Sequence, residues 1–154
     1  MRLIILRHGK AQEHALSMKD RDRKLADRGI EKIKNQTELI ASYLKDTSSV
    51  KIISSPAARC AQTAKLVAEG LGINTDEIDY FEEFYFGEIY KNIKIINSQF
   101  AEGHDTVILS GHMPNVAYIG LELTRDDYRF KTGSFLVLDK DTEEQSWQFV
   151  GHEL

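Results

Sequence analysis

Apolar residues along this chain recur with two periods, and segments of the two kinds alternate. Short continuous runs at Leu3-Ile4-Ile5-Leu6, Ile52-Ile53 and Val107-Ile108-Leu109 read as buried strands. They predict strands over residues 2–7, 51–54 and 106–110. Between them the spacing turns helical. Ile30, Ile33, Thr37, Ile40 and Leu44 mark one helix face; Ala57, Ala61, Ala64, Ala68 and Leu71 mark a second, closed by Gly70 and Gly72. Ile89, Ile93, Ile96 and Phe100 mark a third, and Val116, Ile119 and Leu123 a short fourth. Residues 134–138 and 145–150 predict a late hairpin, with 139–144 as its turn. The stretch from Gln12 to Arg28 is polar and charge-rich. It predicts a loop with one helical turn, and a loop of that length in a compact domain is often functional. Strands alternating with helices imply an α/β fold, a three-layer α/β/α sandwich. The pattern leaves strand order open.

Three of the predicted strands run directly into polar chemistry. The first ends in Arg7-His8-Gly9, a fixed cation, a potential nucleophile and a residue that lets the backbone turn. The second runs into Ser55-Pro56-Ala57-Ala58-Arg59, where the proline suits a first helical turn. The third ends in Gly111-His112-Met113-Pro114. Open α/β sheets keep their sites at the carboxyl edge of the strands. Arg7, His8, Arg59 and His112 on one such edge would make an oxyanion site, because the arginine fork matches phosphate and keeps its charge.

Composition narrows the setting. A chain of 154 residues fits one domain with one core, spanning residues 1–154. Hydrophobic residues at 42% and charged residues at 29% are ordinary for a globular protein. A net charge of −4 argues against a nucleic-acid or membrane-surface partner, so a cationic site would be a local feature. No stretch approaches the roughly 20 apolar residues of a membrane span. Met1-Arg2-Leu3 opens no long apolar leader. The single Cys60 excludes an internal disulfide, and a cytoplasmic location is the expectation.

The motifs carry a family resemblance. Arg7-His8-Gly9, the segment Ser55-Pro56-Ala57-Ala58-Arg59-Cys60-Ala61-Gln62-Thr63 and Gly111-His112 resemble, in order, the three motifs of the histidine phosphatase superfamily. Asp22-Arg23-Lys24-Leu25-Ala26-Asp27-Arg28-Gly29 is similar to a pattern of its SixA-like phosphohistidine phosphatases. The resemblance implies one histidine-phosphatase domain of phosphoglycerate-mutase-like fold. Its sheet would be mostly parallel with one antiparallel strand. It further implies a phosphatase that needs no metal or other cofactor. The substrate would be a phosphorylated protein, such as a histidine phosphotransfer domain, or a small phosphorylated molecule. A phosphate-binding module without catalysis is the rival from another class.

Under that resemblance His8 is the nucleophile, forming a covalent phosphohistidine that water then hydrolyses. Arg7 and Arg59 would hold equatorial oxygens, where transition-state charge spreads. His112, preferably as the cation, would bond another oxygen. Lys10 is a candidate for substrate binding. Alkyl ester hydrolysis benefits from a proton donor, and Glu83, with Glu82 behind it, is the candidate acid. Releasing imidazole from a phosphohistidine makes such an acid less necessary. Thr132-Gly133-Ser134 reads as the lead-in to a strand, with contact to the pocket as the alternative. Phe81, Phe84, Tyr85, Phe86 and Tyr90 read as core packing, with some of them candidates for the substrate entrance. Cys60, on an Ala-rich helix with Leu at position 66, lacks the arginine spacing of a cysteine phosphatase and reads as a packing residue. His14, His104 and His152 show no metal-ligand spacing and read as surface residues.

Overall fold

Strand β1 (Arg2–Arg7) shows why the chain needs two helical layers. Its side chains alternate between faces, and both faces are dry. Leu3 and Ile5 join one apolar cluster with Ile96, Val116 and Ile119, while Ile4 and Leu6 join another with Ile33, Ile40 and Val67. A strand buried on both sides has no polar face to alternate with, so it reads as a continuous apolar run.

The computed structural model describes residues 1–154. The remaining strands are β2 (Val50–Ser54), β3 (Asp79–Tyr80), β4 (Thr106–Gly111), β5 (Phe135–Asp139) and β6 (Gln148–Glu153). They form one sheet in the order β3-β2-β4-β1-β5-β6. β1 and β2 both pair parallel with β4, and β3 pairs parallel with β2. β5 runs antiparallel between β1 and β6, the single strand of opposite direction. The helices are α1 (Asp27–Ser42), α2 (Ala58–Leu71), α3 (Glu83–Phe86), α4 (Ile89–Ala101) and α5 (Asn115–Thr124). The buried side chains of α1 and α2 pack on one face of the sheet, and those of α4 and α5 on the other. This is the α/β/α sandwich that the alternating periods predict.

Boundaries moved where local pattern and tertiary packing differ. Gly70 lies inside α2, and Gly72, at φ 70°, ends it. The loop after Gln12 contains the expected helical turn, a 3₁₀ turn at Asp20–Asp22. Trp147, predicted within a strand, lies before β6 and is buried against Phe100. It joins the apolar cluster from a connecting segment, so its hydrophobicity does not reflect strand pairing. β3 was not legible at all. Its two exposed residues carry no pattern, and only backbone pairing with Ile53 and Ser54 makes it a strand. No helix is long and apolar enough to cross a membrane.

Candidate active site

Parallel register sets the site edge. Arg7 lies opposite Gly111, and Ser54 opposite Ser110, so three strands end level and release their motifs together. Pairing continues past the strands. The His8 N–H donates to the Gly111 carbonyl (2.9 Å) and the Ser55 N–H to the Ser110 carbonyl (3.1 Å). The antiparallel β5 starts at the same edge. There the Arg7 N–H donates to the Ser134 carbonyl (2.9 Å), and the Gly133 N–H donates to the His8 carbonyl (2.8 Å). Residue 133 sits at φ 73°, a region that favours glycine. The backbone of His8 is thereby fixed from both sides.

Behind the Arg7-His8-Gly9 motif the chain runs against the start of α1. A Cβ on Gly9 would stand 2.8 Å from the Gly29 carbonyl, and one on Gly29 would collide with the carbonyl of Lys10. Two glycines therefore let the loop and the helix meet backbone to backbone. The Gly9 N–H also donates to Thr63 Oγ1 (3.2 Å), and the Leu25 N–H donates to Gln62 Oε1 (2.8 Å). The Gln62-Thr63 pair of the second motif thus fastens the first motif and the loop to α2.

His8 Nδ1 lies 2.6 Å from the carbonyl of Gly9. A carbonyl only accepts, so Nδ1 carries the proton and Nε2 carries the lone pair. Arg59 Nε donates to that Nε2 at 3.3 Å. Burial, reinforced by the charges of Arg59 and Arg7, pushes His8 down to about 4, against the Gly9 bond that pulls the other way. His8 is therefore neutral at physiological pH, with its lone pair on the ring nitrogen beside a guanidinium.

His112 Nε2 lies 2.9 Å from the carbonyl of Phe84, so it too donates through a committed N–H. Its ring is 6.4 Å from that of His8, centroid to centroid. Burial, and then Arg59, holds His112 below the ordinary histidine range. The expectation of a cationic His112 needs correcting for the protein by itself, because its surroundings favour the neutral ring.

Arg7, His8, Lys10, Arg59 and His112 line one cavity of about 360 Å³, together with Arg23 and Thr132. Arg7 Nη1 donates to the Phe130 carbonyl (2.7 Å), while its buried Nε has no partner. Thr132 does more than lead into β5, since it forms part of the wall. Glu83 does not line the cavity. It opens α3, where its carbonyl accepts from Gly87 N–H and Asn92 Nδ2 (both 2.7 Å). Glu82 is exposed and paired with Arg21. No Asp or Glu is on the wall.

The aromatic group divides. Phe84 is buried in the core, Phe86 and Tyr90 are exposed, and Tyr85 stacks on His112 at 5.2 Å with 20° between the rings. Sequence reasoning missed Arg23 and Asp20, and it gave Tyr85 only as one of five aromatic residues, some of them candidates for the substrate entrance. Arg23 carried a signal, its place in the Asp22–Gly29 pattern. Asp20 lies in the polar loop expected to be functional, but nothing in the sequence singled out Asp20 or Tyr85. Cys60 is buried, with its thiol pushed up to about 12 by desolvation, as suits a packing residue. No group of three or more His, Cys, Asp or Glu side chains is placed to hold a metal ion.

Solved structures share this architecture end to end. The protein histidine phosphatase SixA, complexed with tungstate, superposes with a TM-score of 0.85 at 23% identity, over 99% of this chain and 96% of that one. A candidate phosphohistidine phosphatase SixA from Agrobacterium tumefaciens gives 0.82 at 27% identity, over 99% and 97%. A mycobacterial glucosyl-3-phosphoglycerate phosphatase gives 0.75 at 14%, over 97% and 96%. No curated protein sequence matches the chain. The profile of the histidine phosphatase superfamily (branch 1) matches residues 3–130. A family profile met over that span, on a sheet whose strand ends gather its three motifs, makes this chain a member of the histidine phosphatase superfamily and a phosphatase.

Proposed function

We propose that the chain is a cytoplasmic phosphohistidine phosphatase that works through His8 without a metal. The observation that carries the choice of substrate is a cavity wall with three guanidiniums, two imidazoles and no carboxylate. In the first step the lone pair of His8 Nε2 attacks phosphorus in line. The bond from phosphorus to the leaving atom breaks, and the leaving group takes that electron pair. Arg59 Nε, which donates to the lone pair in the resting structure, turns its hydrogen bond to a phosphoryl oxygen as Nε2 becomes bonded. Arg7 and Arg59 stabilise the spread equatorial charge. Water then attacks the phosphohistidine, returning the pair to Nε2 and releasing inorganic phosphate.

An alkyl ester must expel an alkoxide, for which a positioned acid is worth roughly 10²–10⁴ in rate. With Glu83 and Glu82 off the wall, no carboxylic acid there supplies that proton. A phosphohistidine whose other ring nitrogen is protonated expels neutral imidazole and needs no donor. The reading is supported by the tungstate complex of SixA, since tungstate is an oxyanion. Lys10 and Arg23 extend the cationic wall beyond the quartet and favour a second reading, an acidic small-molecule monoester.

The test compares kcat/KM on a phosphohistidine peptide with that on serine phosphate and a panel of sugar phosphates. The peptide is expected to lead clearly. A higher value on serine phosphate overturns the assignment. Labelled substrate should leave acid-labile label on the chain, and His8→Ala should take up none. Arg59→Ala or Arg7→Ala should each cost on the order of 10²–10³ in rate, by analogy with the loss of an oxyanion donor.

A further inference from the structure

The loop between Gln12 and Ala26 places one carboxylate among the cationic groups of the site. Asp20 Oδ2 accepts from Arg59 Nη2 at 3.0 Å, and its backbone carbonyl accepts from Arg59 Nη1 at 2.9 Å. Its other oxygen, Oδ1, accepts from Arg23 Nη2 at 3.0 Å. Tyr85 donates its hydroxyl to Oδ2 at 3.3 Å while its ring stacks on His112. A single residue therefore touches two guanidiniums of the cavity wall and, through Tyr85, the second imidazole. Asp20 is itself no part of that wall.

We propose that Asp20 is the positioning residue of the phosphoryl site, holding Arg59 and Arg23 in place with its carboxylate and carbonyl and fixing the His112 ring through Tyr85. A guanidinium carries five N–H groups. Asp20 and His8 take three from Arg59, one at each nitrogen. The two that remain, one on each Nη, are the ones a phosphoryl group receives in addition to the Nε–H released by His8. Two contacts from Asp20 fix both the direction and the rotation of the fork, which one contact does not. The charge matters as well as the geometry. Arg7, Arg23, Arg59 and Lys10 share one wall, and the carboxylate between two of them offsets their mutual repulsion. Burial acts against ionisation of Asp20, yet Arg59 and Arg23 hold its carboxyl below the usual range, so the charge is present at neutral pH.

This rests on the proposed phosphoryl chemistry, so the test reads binding and turnover separately. Asp20→Ala, Arg59→Ala and the double variant of the full chain are compared for calorimetric affinity for inorganic phosphate and for kcat and KM on a phosphohistidine peptide. Asp20→Ala is expected to weaken phosphate binding and lower kcat by about tenfold each. In the Arg59→Ala background it should cost only about threefold, because the Arg59 contacts are already gone and only those to Arg23 and Tyr85 remain to be lost. Tyr85→Phe, which keeps the stack on His112 and loses one bond to Asp20, is expected to cost about threefold. Asp20→Asn keeps the backbone carbonyl, one side-chain acceptor oxygen and the loop but loses the charge and one acceptor, and serves in the same cycle should Asp20→Ala fail to fold. Equal losses in both backgrounds, or unchanged phosphate affinity and kcat in the Asp20 variants, overturn the inference. Phosphate binding with Asp20 coupling but without turnover retains the inference and overturns the proposed reaction. A chain that binds no phosphate overturns both.

Discussion

Two imidazoles do different work because different carbonyls claim their protons. The Gly9 carbonyl accepts from His8 Nδ1 and leaves the Nε2 lone pair for the proposed attack, whereas the Phe84 carbonyl accepts from His112 Nε2 and leaves Nδ1 for the phosphoryl group of the proposed reaction. A neutral His112 offers an acceptor at Nδ1, which a phosphoryl oxygen does not want. Binding of phosphate and protonation of His112 are therefore linked. Calorimetry in buffers of different ionisation enthalpy should show proton uptake on phosphate binding at neutral pH, and His112→Asn should abolish it. The profile of kcat/KM should rise as His8 loses its proton near pH 4 and fall on the alkaline side as His112 loses its own. His112→Asn should remove the alkaline limb. His8 also links pH to stability. Its folded value of about 4 lies below the unfolded 6.5, so between those pH values the unfolded chain takes up a proton that the folded chain refuses. Stability then falls as pH drops through that window, by on the order of 3 kcal/mol across its full width. Urea unfolding at pH 7 and 4.5 should give a smaller pH effect for His8→Asn than for the unsubstituted protein.

At the scale of elements, the site depends on how closely the Gly9-Lys10 segment approaches α1. Gly29 is the tighter contact, because its missing Cβ would strike backbone that has no rotamer to change. Gly29→Ala is expected to cost about 1–3 kcal/mol as an overpacking substitution, read as a lower urea midpoint. Because the same contact holds the loop behind His8, turnover should fall as well. The short α3 shows how one turn serves two ends. Phe84 anchors it in the core and the next residue, Tyr85, reaches His112. From sequence this turn was only an aromatic cluster, since four residues hold too little of a helical period to separate its faces.

At the scale of the molecule, stability and chemistry occupy different parts of one sheet. β4 and β1 lie at its centre and carry fully buried side chains, while β6 forms an edge that is largely exposed. Ile108→Ala, at a fully buried position between two strands, is expected to cost about 2–5 kcal/mol. Phe149→Ala, at a side chain 50% exposed on the edge, should cost well under half of that. Urea denaturation of the two variants checks the contrast. The polar machinery sits where the central strands end, so it draws rigidity from the core without interrupting it.

Periodicity is local: whether a stretch is dry on one face, on both or on neither is written into the stretch itself. The chain alone therefore determined its longer strands and helices, the alternation that makes a sandwich, and the strand-end motifs holding Arg7, His8, Arg59 and His112. Strand order, the turn of β5 and the departure of Glu83 from the cavity wall were decided only when the layers packed. Asp20 meets Arg59 across 39 residues of chain and Tyr85 across 65. No pattern at either end of such a separation encodes the meeting, because it depends on where the sheet and helices deliver each backbone, and that is a property of the assembled fold.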